Sequence, residues 1–176
     1  MLIIRPMQAH EWEMYRQLRL AALREAPDAF GSTLAREQAF TEEEWITRLA
    51  EASVSELDQP LVAEDDGRAV GLCWVRIDPN DSSTAALYQV WVHPDARRRG
   101  VGEGLLQAAM RWAHAAGART MMLTVSLGRN SAVQLYKRAG FIDVGMPSPL
   151  REDSGLLQQA MECTLGVTLD AAGTEQ

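Results

Sequence analysis

The chain has 176 residues, 47% of them hydrophobic and 23% charged, proportions of one ordinary packed domain rather than of a disordered segment. Its net charge of -7 argues against a nucleic-acid surface, so any anionic ligand must be met by a local basic cluster. Cys73 and Cys163 are too few for a disulfide framework, the three histidines are scattered, and no apolar run is long enough to span a membrane or to serve as a signal peptide. The expectation is a cytoplasmic protein without a metal.

In chain order, Leu2 to Arg5 reads as a short strand stopped by Pro6. Trp12, Tyr15, Leu18, Ala22 and Leu23 fall at helical spacing within a helix from Glu11 to Arg24, ended by Pro27. A second helix runs from Thr41 to Ala52, opened by a Thr41–Glu44 capping box. Leu61 to Glu64 and Ala69 to Ile77 are strands of a hairpin turned by Asp65-Asp66-Gly67-Arg68, and Thr84 to Val92 is the next strand. Val101 to Ala116 is a helix with Val101, Leu105, Ala109, Trp112 and Ala116 on one stripe, ended by Gly117. Thr120 to Leu127 is a strand, and Ser131 to Ala139 a helix opened by a Ser131–Gln134 capping box. Phe141 to Gly145 and Leu157 to Leu165 are the last strands. Residues 1–165 then form a single domain of order β-α-α-β-β-β-α-β-α-β-β, an α/β sandwich with a mixed sheet, and residues 166–176 a frayed tail.

The strand to Val92 leads into Arg97-Arg98-Arg99-Gly100-Val101-Gly102, where a helix opens. A helix N-terminus is partly positive and has unpaired N–H donors, so three arginines there are unfavourable unless an anion sits among them. Gly100 and Gly102 let backbone approach that anion closely. A solvated basic turn explains neither the glycines nor the charge. No G-x-x-x-x-G-K-[ST] is present, and Leu105 stands where the dinucleotide motif needs glycine.

This R-x-x-G-x-G between strand and helix resembles the cofactor motif of the GNAT superfamily of N-acetyltransferases. The segment from Asn130 through Tyr136 to Gly140-Phe141 is similar to the superfamily's second cofactor segment, with Ala132 one place earlier than in some members. The likeness extends over about residues 2 to 165. It implies a mostly antiparallel central sheet flanked by helices, acetyl-CoA as cosubstrate, and Arg97, Arg98, Arg99, Gly100, Val101 and Gly102 at its pyrophosphate. By the same resemblance the main chain of Val90, Trp91 and Val92 pairs with the pantetheine arm, and Asn130 touches the cofactor. A homodimer is a superfamily-level expectation only.

Acetyl transfer requires a neutral amine, and an alkyl amine of pKa about 10.4 is neutral at pH 7 in only about one part in 10³. It also requires a donor to the tetrahedral oxyanion, which a backbone N–H on Val90–Val92 can supply, and an acid for the leaving thiolate. By resemblance Tyr136 faces the departing sulfur; with an ordinary pKa near 10 it is protonated at pH 7 and serves as general acid. Some members carry a glutamate on the strand before the Arg-rich loop, but its place falls near Ala86 and that strand holds no carboxylate. Tyr88 or Gln89 through water, Glu37, and Glu42, Glu43 and Glu44 are then the candidates to take the amine proton, the last three also reading as a solvated first helical turn. Phe30, Trp45 and Tyr88 are the candidate acceptor-pocket residues, although residues such as Phe30 and Trp45 are more often ordinary core than a substrate cage. An acidic protein tolerates a cationic amine, whether small molecule or peptide. The competing reading is a catalytically silent acyl-CoA-binding sensor or scaffold.

Overall fold

The computed structural model describes residues 1–166; the expected tail falls, but for Gly166, outside the described residues. The elements are β1 (Leu2–Pro6), α1 (Trp12–Glu25), α2 (Leu34–Gln38), α3 (Glu42–Val54), β2 (Asp58–Asp65), β3 (Arg68–Asp78), β4 (Asp81–Val92), α4 (Val101–Ala115), β5 (Thr120–Ser126), α5 (Asn130–Arg138), β6 (Ile142–Pro149) and β7 (Leu157–Thr164). They form one seven-stranded sheet of order β1-β2-β3-β4-β5-β7-β6. The β4–β5 pair is parallel and the others antiparallel. The expected α/β sandwich with a mixed, mostly antiparallel sheet is what the chain adopts. Among the described residues no helix is long and apolar enough to cross a membrane.

Strand alternation divides the core between two faces. Leu61, Ala63, Cys73 and Val75 pack with Leu105, Leu106 and Ala109 of α4 and with Met121 and Phe141. The intervening Val62 and Leu72 pack with Tyr15, Leu23, Trp45 and Leu49 of α1 and α3. Each large side chain so buried contributes roughly 1.5–3 kcal/mol. Tyr15 meets Trp45 edge-on at 5.6 Å between ring centroids, which locks α1 to α3.

Four local expectations are corrected. The five-residue helix α2, capped by Thr33 Oγ1 accepting from Arg36 N, is too short to show a period. β2 begins at Asp58, before Pro60. The Pro60 carbonyl accepts from Met7 N on the β1 side, so the missing N–H of Pro60 falls on that side and removes no bond to β3. The buried stripe of α4 is Val101, Leu105, Leu106, Ala109 and Ala113, which leaves Trp112 half-buried at its edge; Ala116 is exposed because the helix ends at Ala115 and Ala116 is its C-cap. Helix α5 starts at Asn130 with Arg129 as its N-cap and no side-chain cap, so the Ser131–Gln134 box does not form.

Candidate active site

The site is made by two parallel strands that part. β4 and β5 pair only at Thr84–Thr120, Ala85–Met121 and Ala86–Met122. Beyond Ala86 they diverge, and main-chain groups on the facing edges of Leu87–Val92 and Leu123–Ser126 have no sheet partner. A β-bulge accentuates the split: Trp74 lies opposite Tyr88 and Leu72 opposite Trp91, so three β4 steps face two of β3. Gln89 sits in the bulge at φ 56°, a left-handed conformation that is costly for a residue with a side chain. The Tyr15 hydroxyl donates to Gln89 Oε1 at 3.0 Å and helps hold it there. The resulting cleft has a volume of about 1610 Å³ and runs from the N-terminus of α4, past Tyr136, to α1 and α3.

At its α4 end the first helix-closing bond runs from Gly104 N to the Gly100 carbonyl, and no side chain caps the helix. The N–H groups of Val101, Gly102 and Glu103 therefore have no backbone partner among the described residues. Gly100 has φ 80°, and a Cβ on Gly102 would come within 3.2 Å of Leu135. Gly100, Val101, Gly102 and Arg98 all line the cleft. The three arginines are not equivalent, which corrects the expectation that all three await an anion. Arg97 donates to Glu25 at 2.7 Å and to the Val92 carbonyl at 3.0 Å. Arg99 is paired to Asp65 at 2.6 Å and does not line the cleft. Arg98, at φ 59°, has no ion-pair partner among the described residues. Of the three, one guanidinium without an ion-pair partner remains beside an open helix N-terminus, a combination that favours an anion.

Along β4, Tyr88, Val90, Trp91 and Val92 all line the cleft. Trp91 is itself buried, with its indole N–H on Glu25 at 2.9 Å, so it offers main chain only. Glu25 thus ties the Arg-rich loop to both α1 and β4; Arg97 competes with burial for it, and the balance leaves its carboxyl below the usual carboxylate range. Tyr136 lines the cleft from α5, 6% exposed, with its ring edge-on to Phe141 at 5.9 Å. Burial pushes its hydroxyl pKa well above the ordinary tyrosine value, aided by Cys73, so it holds its proton more firmly than expected. Asn130 is exposed and outside the cleft lining, whereas its neighbours Arg129, Ser131 and Ala132, and Arg138, line it. Arg129 and Arg138 carried no motif signal, although each lies beside one.

At the far end Phe30 and Tyr88 line the cleft, and Trp45 does not. Trp45 is fully buried against Tyr15 and Phe40, so it is a core residue and not an acceptor contact. The backbone at Phe30 is held by Arg151, which donates to its carbonyl at 2.8 Å. Glu37 is also corrected. It is 2% exposed and bound to Arg19 at 2.7 Å and to Arg48 at 3.0 Å. Burial alone would raise its carboxyl pKa, but Arg19, with help from Ser32 and Arg48, outweighs that and lowers it. An acid so stabilised as an anion is no proton acceptor at neutral pH. Glu43 and Glu44 line an adjoining groove on α3 rather than the cleft.

The splayed strands thus carry a cleft with an open helix N-terminus at one end and a buried tyrosine between its ends. The Acetyltransferase (GNAT) family model matches residues 12–141, and the chain belongs to that family. Members of this family are acyltransferases that use acetyl-CoA. Mycothiol acetyltransferase of Rhodococcus jostii is 34% identical over 107 residues, covering 58% of this chain and 35% of the relative. The chain thus spans about a third of the length of the curated relatives it matches. The fold is shared with the GNAT-family acetyltransferase of Streptococcus pneumoniae, at TM-score 0.80 and 24% identity over 94% of this chain and all (100%) of that one. It is also shared with yncA of Salmonella typhimurium, solved with its cofactor acetyl-CoA, at TM-score 0.77 and 17% identity over 100% and 98% of the two chains.

Proposed function

We propose that residues 1–165 form a single N-acetyltransferase domain that moves an acetyl group from acetyl-CoA to a primary amine by direct attack, with Tyr136 as general acid. The observation that carries this reading is the place of Tyr136. Its phenol lines the wall between the open N-terminus of α4 and the α1–α3 end, and burial keeps it protonated. Bound acetyl-CoA supplies an activated acyl thioester. The chain's residues supply the rest. Arg98 and the N–H groups of Val101, Gly102 and Glu103 hold a diphosphate. The unpaired main chain of Val90–Val92 aligns an extended amide-bearing arm, as an added strand would be aligned. A backbone N–H on the same edge is placed to donate to developing negative charge. The Tyr136 hydroxyl gives its proton to the departing thiolate. Tyr88 and Gln89, which line the cleft, are the contacts for water that carries the amine proton away.

Release of thiol from acetyl-CoA across a panel of primary amines tests the activity. Turnover with at least one amine is expected; stabilisation by acetyl-CoA without thiol release from any amine supports the silent acyl-CoA-binding module instead. The inequivalent arginines give a sharper prediction. Arg98→Gln raises the acetyl-CoA dissociation constant about tenfold, the scale of one lost charge-assisted hydrogen bond. Arg99→Gln, whose guanidinium is on Asp65, changes it less than threefold or so by the same measure. Equal losses in titration calorimetry would show that the pairing of Arg99 does not persist in the complex.

A further inference from the structure

Around the α1–α3 end of the cleft, the charges are mostly cationic although the chain is acidic. Arg19, Arg48 and Arg76 line it, and Asp58 is the carboxylate among them. Asp58 is already committed: it accepts from the Trp74 indole at 3.0 Å and from Ser55 at 3.1 Å, with Arg76 at 3.9 Å. Glu37 lies behind this wall, shared by Arg19 and Arg48. Its single charge faces two guanidinium groups, so one positive charge is left over. The donors are also in surplus. Arg48 bonds Glu37 through Nη1 and lies over the Phe40 and Trp45 rings, which still leaves part of its five N–H groups for a ligand. Arg19 is 4% exposed, and its Nη1 is buried with no hydrogen-bond partner. A buried donor left unpaired is costly, and such groups are usually satisfied by a ligand or ordered water. Arg76 has a side chain about half exposed (49%) and only the 3.9 Å approach to Asp58. The adjoining groove on α3 shares Arg48, Asp58, Trp74 and Arg76 with the cleft and adds Glu43, Glu44 and Glu51, with Glu44 engaged in the helix cap.

We propose that the acceptor amine also carries a carboxylate, seated against Arg48 and Arg76 with Arg19 beneath. The substrate class is therefore amino-acid-like rather than a polyamine, and this rests on the acetyl-transfer reading of the cleft. The rest of the wall fits an amine with an apolar body: Phe30, Leu150, Trp74 and Tyr88 flank the arginines. An anion there takes up the surplus charge and donors at once, whereas a second ammonium group is met in the cleft lining by three guanidinium groups and the occupied Asp58, the α3 glutamates lying in the adjoining groove.

The test uses the full chain with saturating CoA, so that binding is read without turnover. Calorimetric titrations compare L-leucine, L-phenylalanine and L-glutamine with their carboxamides, and add spermidine. The expected result is at least one acid binding about tenfold or more tighter than its carboxamide, with spermidine weaker than that acid. Arg76→Gln, on an exposed side chain, and Arg48→Gln both shrink that preference, and Arg48→Lys retains part of it. The acid-to-carboxamide ratio is internal to each variant, so a general loss of stability does not mimic the effect. Acids no tighter than their carboxamides, or spermidine the tightest, overturn the proposal while leaving acetyl transfer intact. Failure of CoA itself to bind overturns the reading of the cleft on which the proposal stands.

Discussion

Tyr136→Phe is expected to lower kcat by about 10²-fold or more, the scale of a lost general acid, while the dissociation constant for acetyl-CoA stays within a few-fold. The two effects separate because of how Tyr136 is held. Its ring packs on Phe141 and within the α4-side core, and phenylalanine keeps that packing. Its hydroxyl has no hydrogen-bond partner among the described residues, so removing the oxygen orphans no buried group. Burial raises its pKa above the ordinary value, so deprotonation of Tyr136 produces no fall in rate between pH 7 and 10. Steady-state rates over that range, with calorimetric titration of acetyl-CoA, read both parts. Turnover at the normal rate in the variant would remove Tyr136 from the mechanism.

Glu37→Gln is expected to destabilise the fold by about 3–5 kcal/mol, the cost of leaving a buried charge without its partner. For a chain of this size that lowers the melting temperature by roughly 6–20 °C. The substitution keeps volume and shape, so the loss is electrostatic. Arg19, 4% exposed and bonded to Glu37 by Nε and Nη2, has no other anion to turn to. The pH dependence follows from the sign of the shift. Glu37 has a folded pKa below its ordinary 4.5, so its stabilisation is fully present above that value. It is lost as pH falls through the lowered folded pKa, because the unfolded chain takes up the proton first. Urea unfolding from pH 7 to pH 3 should show this acid-dependent component in the wild type and its absence in Glu37→Gln. A double change, Arg19→Met with Glu37→Leu, should recover much of the loss.

Elements of the fold that rest on local rules were legible in the sequence. The glycines after α4 and α5, Gly117 and Gly140, both sit at φ 98°, where only a residue without Cβ is at ease, so helix ends could be placed. Asp66 and Gly67, both at positive φ, make the hairpin turn that their residue types announce. The α4 N-terminus was found because Gly100 and Gly102 accompany a charge that is wrong for a helix start.

What was missed depends on residues far apart in the chain. The charge of the Arg-rich loop was overcounted, because Arg97 is met by Glu25 and Arg99 by Asp65, partners that only the tertiary fold delivers. The bulge at Gln89 has no sequence mark, since glutamine is not a residue that favours positive φ. Sequence alone favours core over pocket for Trp45 without excluding either, and the packing of α1 on α3 decides for the core. The arginines at the α1–α3 end of the cleft were hidden by a net charge of -7, which averages over the whole chain.

An acetyl-CoA site running from the α4 N-terminus into the splayed strands makes thermal denaturation of the full chain sensitive to acetyl-CoA and CoA and indifferent to NAD. A ligand at about 100 times its dissociation constant stabilises by about 2.7 kcal/mol, or roughly 5–10 °C for a domain of this size. A rise of that order with acetyl-CoA and CoA, and none with NAD, is the predicted result. Stabilisation by NAD with none by acetyl-CoA would contradict it.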